Sequence, residues 1–343
     1  MNDLRGMLPE ETEALMLSLG EPKYRAKQLY KWLARPIGSI DEMSDIPKSL
    51  REKLKENYTI YAPKPLQKQV SASDGTIKYL WEMSDGNAVE TVVMSYSYGN
   101  TVCISTQVGC RQGCAFCAST IGGLVRNLEP QEMLNEVLFS QADSGKPISH
   151  IVLMGIGEPL DNFDNVVKFL KLVNEPDGLN IGMRHITLST CGIIEKFDKL
   201  ADLNLQLTLT VSLHAPDDET RSRIMPANHG RGVDKLMEAC RRYYKKTGSR
   251  ISFEYIMIDG VNDTSYHAEL LSKRAKFVGA HVNLIPMNHV EESRFKPSTQ
   301  GHIKAFVKIL ESNGVNVTVR RRLGSDVDAS CGQLRRKMQR KNA

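Results

Sequence analysis

Hydrophobic residues along this chain change period twice. From the start to about Tyr61 they recur at helical spacing: Pro22 opens a stretch with Ala26, Leu29, Tyr30 and Leu33, and Pro47 opens another with Leu50 and Leu54 on one face. Ile77, Tyr79, Trp81 and Met83 then alternate as in a strand, with Asp74-Gly75 and Asp85-Gly86 as turns on either side. Residues 88–95 and 101–106 read as two more strands joined near Tyr98-Gly99-Asn100. If they pair as a hairpin, Glu90 and Cys103 fall nearly opposite each other.

From residue 101 strand and helix patterns alternate. Strands are predicted at 101–106, 148–154, 185–190, 207–213, 251–258, 281–286 and 315–320, with helices at 129–142, 163–174, 233–247 and 299–313 among the connections. The strands are rich in Val, Ile and Leu, as parallel strands covered by helices are. The series predicts an α/β fold, a parallel barrel or open sheet. Several polar residues sit just after strands: Gly157 and Glu158, Ser189, Ser212 with His214, and Asn288. In a barrel these ends share one ligand-binding rim.

The chain has 343 residues, 41% of them hydrophobic and 25% charged, an ordinary globular composition. No apolar run approaches a bilayer span and no cleavable signal opens the sequence, so a cytoplasmic location is expected. Net charge is only +5. Basic residues cluster at Lys23–Arg35, at Arg320-Arg321-Arg322 and beyond Leu334, where they offer either phosphate contacts or solvated helix faces.

Three of the seven cysteines form a tight group, Cys110, Cys114 and Cys117, spaced C-x3-C-x2-C after the first barrel strand. This suits a [4Fe–4S] cluster with one iron left open to a ligand. Structural zinc, with Cys103 as fourth ligand, is the alternative, but it favours two separated ligand pairs. Cys191 and Cys240 read as structural thiols.

The triplet, with Phe116 before its last cysteine, resembles the signature of the radical-SAM superfamily. Glu90-Thr91-Val92, VCISTQVGC around Cys103, GIGEPLDN at 155–162, SLHAP at 212–216, NLIPMN at 283–288 and DVDASCGQL at 326–334 extend the resemblance to the RNA adenosine methyltransferases called RlmN/Cfr. This resemblance implies a partial (β/α)6 barrel with an N-terminal helical accessory domain and a β-hairpin extension. The implied divisions are 1–62, an RNA-binding candidate; 63–98, the extension; 99–334, the barrel; and 335–343, a basic tail. It implies that Cys110, Cys114 and Cys117 hold the cluster. Gly157, Glu158, Ser189, Ser212, Leu213, His214 and Asn288 would line the pocket for S-adenosylmethionine (SAM), and Met154 would approach it.

The reaction implied is methylation of adenine C2 with two SAM per turnover. Cys331 is methylated by the first SAM, and a radical made from the second activates that methyl group, which adds to the base. Glu90 takes the C2 proton, and Cys103 resolves the adduct by forming a transient disulfide with Cys331. The implied RNAs are 23S rRNA and the anticodon-adjacent adenosine of tRNA, with an electron donor such as flavodoxin or ferredoxin; a monomer is the default expectation. Pro159 after GE resembles the C2 branch more than the branch that methylates C8 and confers antibiotic resistance. A radical-SAM activase would need the triplet without Cys103, Glu90 or Cys331, and a zinc-stabilised RNA-binding protein would contain zinc without iron.

Overall fold

The computed structural model describes residues 2–287, 295–321, 323–324, 326–327 and 334. Helices α1 (Pro9–Ser18), α2 (Tyr24–Leu33) and α3 (Lys48–Asn57) form an N-terminal unit, tied together by a parallel pairing of β1 (Asn2–Asp3) with β2 (Tyr58–Thr59). Leu15, Met16, Leu29, Leu33, Leu50 and Leu54 bury together in a core of their own. The helical spacing therefore marks the inward faces of α2 and α3.

A ten-stranded sheet makes up the rest. Three strands, β3 (Pro65–Val70), β4 (Ile77–Glu82) and β5 (Ala88–Tyr96), run antiparallel and lead into β6 (Gly99–Cys103). A short hairpin, β7 (Gln107–Gly109) with β8 (Leu124–Asn127), stands apart. Then come β9 (Ile148–Leu153), β10 (Ile186–Thr190), β11 (Thr208–Ser212), β12 (Ile251–Met257), β13 (His281–Pro286) and the three-residue β14 (Val317–Val319). From β6 to β14 the neighbours are parallel and follow chain order. The predicted strands of the alternating region all form, within a few residues of their expected ends.

The intervening helices are α4 (Pro130–Ser144), α5 (Phe163–Asn174), α6 (Phe197–Asp202), α7 (Asp218–Ile224), α8 (Val233–Thr247), α9 (Ser265–Val278) and α10 (Gln300–Ser312). Their limits have local causes. Pro130 opens α4 behind a Glu129/Glu132 capping box, and left-handed Gly145 closes it. Thr264 and Thr299 cap α9 and α10 by accepting hydrogen bonds from the His267 and His302 amides. Leu236, Met237, Cys240 and Tyr243 give α8 a buried stripe against the sheet. Among the described residues no helix is long and apolar enough to cross a membrane.

On β4 and β5, Ile77, Tyr79, Trp81, Val89 and Val93 face the main core, as the alternation predicts. The opposite face of this hairpin is buried too: Lys78, Leu80 and Glu90 are almost wholly removed from solvent. It forms one wall of the site.

Candidate functional site

One cavity of about 360 Å³ opens inside the curled sheet. Glu90, Val92, Met94 and Tyr96 line it from alternate positions of β5, and Cys103 from β6. Cys103 lies directly opposite Val92, and Leu80 opposite Glu90. Glu90 and Cys103 therefore stand on the same face one residue pair apart, a diagonal of the near-opposition read from the sequence.

The cysteine loop supplies the facing wall. Cys110, Cys114 and Cys117 all line the cavity and are free thiols. The loop is held closed where the Cys110 amide donates to Gly123 O at 3.1 Å and the Cys117 amide to Cys114 O at 3.0 Å. At Gly109 (φ +79°) a Cβ would lie 2.0 Å from Gly123 O, so only glycine permits this closure. Burial pushes the Cys110 thiol up to about 12 and raises Cys114 and Cys117 as well; Cys117 adds to the shift of Cys110, and both add to that of Cys114. Bare, these thiols stay protonated; a cationic centre is what favours three thiolates side by side. Three cysteines of one tight loop gathered in one cavity fit a sulfur-bridged centre better than structural zinc, which favours two separated ligand pairs.

The strand ends form the rim. Gly157 has φ +110°, and a Cβ there would meet Gln107 and Thr106 atoms at 2.7–2.8 Å. Glu158 lines the cavity but is buried, with burial raising its pKa. Its carboxylate accepts from the Cys191 amide at 2.7 Å and the Leu160 amide at 3.0 Å, so the side chain braces the loop as well as facing the cavity. Ser189 and Ser212 face the cavity with hydroxyls 3.4 Å apart. His214 adopts a left-handed φ of +57° and packs edge-on against Phe116, with ring centroids 4.9 Å apart. Its Nδ1 accepts from the Ile256 amide at 3.0 Å, which leaves the proton on Nε2. Burial, helped by the Arg221 charge, lowers its pKa to about 3, so the ring is neutral.

Met154 also lines the cavity, whereas Leu213 does not: its side chain is fully buried in the core. Its backbone is engaged instead, the carbonyl accepting from Arg221 Nε at 3.0 Å and the amide donating to Glu254 O at 3.1 Å. Cys191 shares the wall, while Cys240 belongs to the core. Asn288, Cys331, Arg322 and the basic tail lie outside the described residues.

Four charged residues escaped the sequence reading. Lys78 is fully buried, its Nζ 2.8 Å from Glu90 Oε2. Glu254 lines the cavity from β12, both oxygens accepting from Asn283 Nδ2 at 3.0–3.2 Å. Burial raises its pKa, opposed by the charge of Arg320, which also lines the cavity. Arg221 lies under the rim, donating to the carbonyls of Cys191 and Leu213 and to Asn228 Oδ1. Arg5 fastens the N-terminal unit to the barrel.

Comparisons with known proteins agree with this arrangement. Residues 104–271 match the radical SAM superfamily, and residues 2–60 match the ribosomal RNA large subunit methyltransferase N-terminal domain. A protein of Lachnoclostridium phytofermentans named "Probable dual-specificity RNA methyltransferase RlmN" is 50% identical over 97% of this chain and 94% of its own length. One of the same name from Clostridium novyi is 48% identical over the whole of both chains. The crystal structure of a radical SAM methyltransferase from Sphaerobacter thermophilus superposes with a TM-score of 0.91 at 39% identity, covering 97% of this chain and 99% of that one. The chain belongs to the RlmN family of RNA methyltransferases, radical-SAM enzymes that work with a [4Fe–4S] cluster and SAM.

Proposed function

We propose that this enzyme methylates C2 of an adenosine in 23S rRNA, and of the anticodon-adjacent adenosine in tRNA, through a methylated Cys331. The observation that carries the reading is that Glu90 and Cys103 share one cavity with the cysteine triplet. A polar methyl transfer to an aromatic C–H carbon needs neither a buried carboxylate nor a second thiol beside the cofactor site; a route through a protein-bound methyl group needs both.

In this reading Cys110, Cys114 and Cys117 hold the cluster, and Gly157, Glu158, Ser189, Ser212, Leu213, His214 and Asn288 form the SAM pocket. Cluster and SAM, when bound, supply the one-electron chemistry that makes an unreactive carbon accessible. The chain's own groups do the rest. Neutral His214 offers Nε2–H as a fixed donor at the rim. Glu90 takes the C2 proton on a carboxylate oxygen. Cys103, as thiolate, attacks the Cys331 sulfur and forms a disulfide with it; the C–S electron pair leaves with the carbon, which takes up a proton to become the methyl group, and a cellular reductant reopens the disulfide. Leu334, three residues after Cys331 in the chain, packs against Leu80 and Ala88, the residue opposite Glu90 and the one two before it. That packing supports a role for Cys331 beside Glu90.

Residues 1–62 form the accessory domain that engages RNA, 63–98 the β-extension, 99–334 the barrel and 335–343 a basic tail. The relatives' description as dual-specificity enzymes supports two RNA classes. A flavodoxin- or ferredoxin-like donor, a cytoplasmic setting and a monomer complete the proposal.

The test is anaerobic. The protein is reconstituted with iron and sulfide and given SAM, a reductant and either a 23S rRNA fragment or tRNA; the nucleosides are then analysed by mass spectrometry. 2-Methyladenosine that disappears in Cys331→Ala is expected. 8-Methyladenosine would overturn the position assigned, and methylation surviving Cys331→Ala would overturn the protein-bound methyl group.

A further inference from the structure

Lys78 occupies an unusual place for a lysine. Its side chain is fully buried and Glu90 is only 3% exposed, yet the two meet at 2.8 Å on the cavity face of the β4–β5 hairpin. The pairing is a cross-strand diagonal: Lys78 stands opposite Val92, two residues from Glu90 on the same face. Burying a lone carboxylate or a lone ammonium is strongly unfavourable, and either group escapes by changing its protonation. A carboxylate meant to receive a proton must nevertheless arrive at the reaction ionised. The other titratable side chains lining the cavity include Tyr96 on the same strand and the thiols Cys103 and Cys117, with Glu254 on β12 and Arg320 and Arg321 just beyond β14. Lys78 is in direct contact with the carboxylate.

We propose that Lys78 is the positioning residue for the base: its ammonium, in direct charge contact with the Glu90 carboxylate, holds that carboxylate paired and aimed into the cavity until the proton is taken. The inference rests on the reading that Glu90 is the base. In the step concerned, a proton passes from the substituted adenine carbon to a Glu90 oxygen and the C–H electron pair stays on the ring. The carboxylate becomes a neutral acid while Lys78 remains an ammonium. Rim and cluster residues are untouched, so Lys78 acts on resolution of the RNA–protein adduct, not on its formation.

The experiment measures the ratio of tethered RNA–protein adduct to released methylated RNA, by denaturing gel, in reconstituted full-length enzyme. Lys78→Met, Lys78→Gln, Lys78→Arg, Glu90→Gln and Lys78→Met/Glu90→Gln are compared, with iron content and thermal melting recorded for each. Lys78→Gln keeps a donor for the carboxylate and carries the test if Lys78→Met does not fold; the double variant removes both buried charges. Glu90→Gln is expected to accumulate adduct. Lys78→Met and Lys78→Gln are expected to follow it, release slowing by about 100-fold, the scale of a lost general base. Lys78→Arg keeps release within a few-fold of wild type, and the double variant resolves adduct no more slowly than Glu90→Gln alone. A wild-type ratio in Lys78→Met or Lys78→Gln while Glu90→Gln accumulates adduct overturns the role of Lys78 alone. No adduct in Glu90→Gln overturns the base assignment and the inference with it. A Lys78 effect that persists undiminished on the Glu90→Gln background shows that Lys78 acts elsewhere.

Discussion

Replacing Arg5 by methionine should loosen the N-terminal unit while leaving the barrel folded. Arg5 is fully buried and donates to Leu33 O (3.3 Å), Arg35 O (3.2 Å), Ile37 O (2.5 Å), Tyr61 O (2.7 Å) and Asn135 Oδ1 (2.6 Å). It thereby ties the end of α2 and the chain beyond it to α4 of the barrel. Tyr61 O keeps a second donor in Asn135 Nδ2, and Arg35 O keeps the Ile37 amide. The carbonyls of Leu33 and Ile37 and the Asn135 amide oxygen lose the donor that Arg5 provides. At about 1–3 kcal/mol for each buried acceptor left unsatisfied, the loss is about 6 kcal/mol. Against this stands the burial of the guanidinium, which lowers its pKa from 12.5 to about 10, a cost of about 3 kcal/mol at about 1.4 kcal/mol per unit. Methionine fills similar volume and keeps contact with Phe139, whose ring centroid lies 5.4 Å from the guanidinium carbon. The net cost is therefore about 3 kcal/mol, borne by the unit of residues 2–60. Native-state proteolysis reads it directly: cleavage within those residues should accelerate by about 100-fold while fragments of the barrel stay protected. A rate within about threefold of wild type, or equal acceleration in both parts, would refute the reasoning.

Serine in place of Cys110, Cys114 or Cys117 should each remove bound iron and sulfide, whereas Cys103→Ser should retain both; zinc bound in a Cys103-dependent way would contradict the donor assignment. Gly157→Ala should weaken SAM binding, measured by equilibrium dialysis, and cost about 2 kcal/mol of stability, because its Cβ meets Gln107 and Thr106 atoms at 2.7–2.8 Å; wild-type affinity would count against a tight rim. Glu136 lies fully buried on α4, accepting from Thr91 Oγ1 and the Ser105 amide through one oxygen, and burial raises its pKa well above the ordinary 4.5. The folded state therefore holds this proton more tightly than the unfolded chain, a stabilisation fully present below about pH 4.5 and lost as pH rises. Glu136→Gln should remove that alkaline loss in melting curves against pH, and parallel curves for the two proteins would refute it.

The barrel was legible because parallel strands covered by helices leave long apolar runs, and because proline, threonine and glycine mark the helix ends. The cysteine loop was legible from spacing alone. Lys78, Glu254, Arg221 and Arg5 were not, since alternation assigns a charged residue to the solvent side of its strand or helix, and only the partner across space reverses that assignment. For Lys78 the missing step was the register. The Asp85-Gly86 turn pairs Glu82 with Ala88, and counting back from it sets Leu80 against Glu90 and Lys78 against Val92. A lysine diagonal to a carboxylate, on a strand whose other face is Ile-Tyr-Trp, was therefore within reach of the sequence. For Arg221 and Arg5 no comparable count exists, because most of their partners are backbone carbonyls, several brought in from distant segments.

The extension's place in the chain explains why Glu90, the proposed base, stands outside the barrel strands. The rim at the strand ends is occupied by groups suited to a small ligand: glycine, serines and a neutral histidine. Chemistry on a second, larger substrate needs groups approaching from another direction. The antiparallel β3–β5 extension provides that direction, continuing the sheet past β6 so that its cavity face looks across at the cysteine loop. The same extension receives the chain's C-terminal stretch. Asp326 accepts from Ser71 Oγ at 2.6 Å and from the Ala72 amide at 2.8 Å, the Gly324 amide donates to Asp74 Oδ2 at 2.7 Å, and Leu334 packs on Leu80 and Ala88. Contacts on both sides of residue 331 thus fall on the one β3–β5 extension that carries Glu90 and Lys78. A change in the 71–74 turn should therefore act on methyl transfer to RNA before it acts on SAM binding, although no residue of that turn lies on the rim.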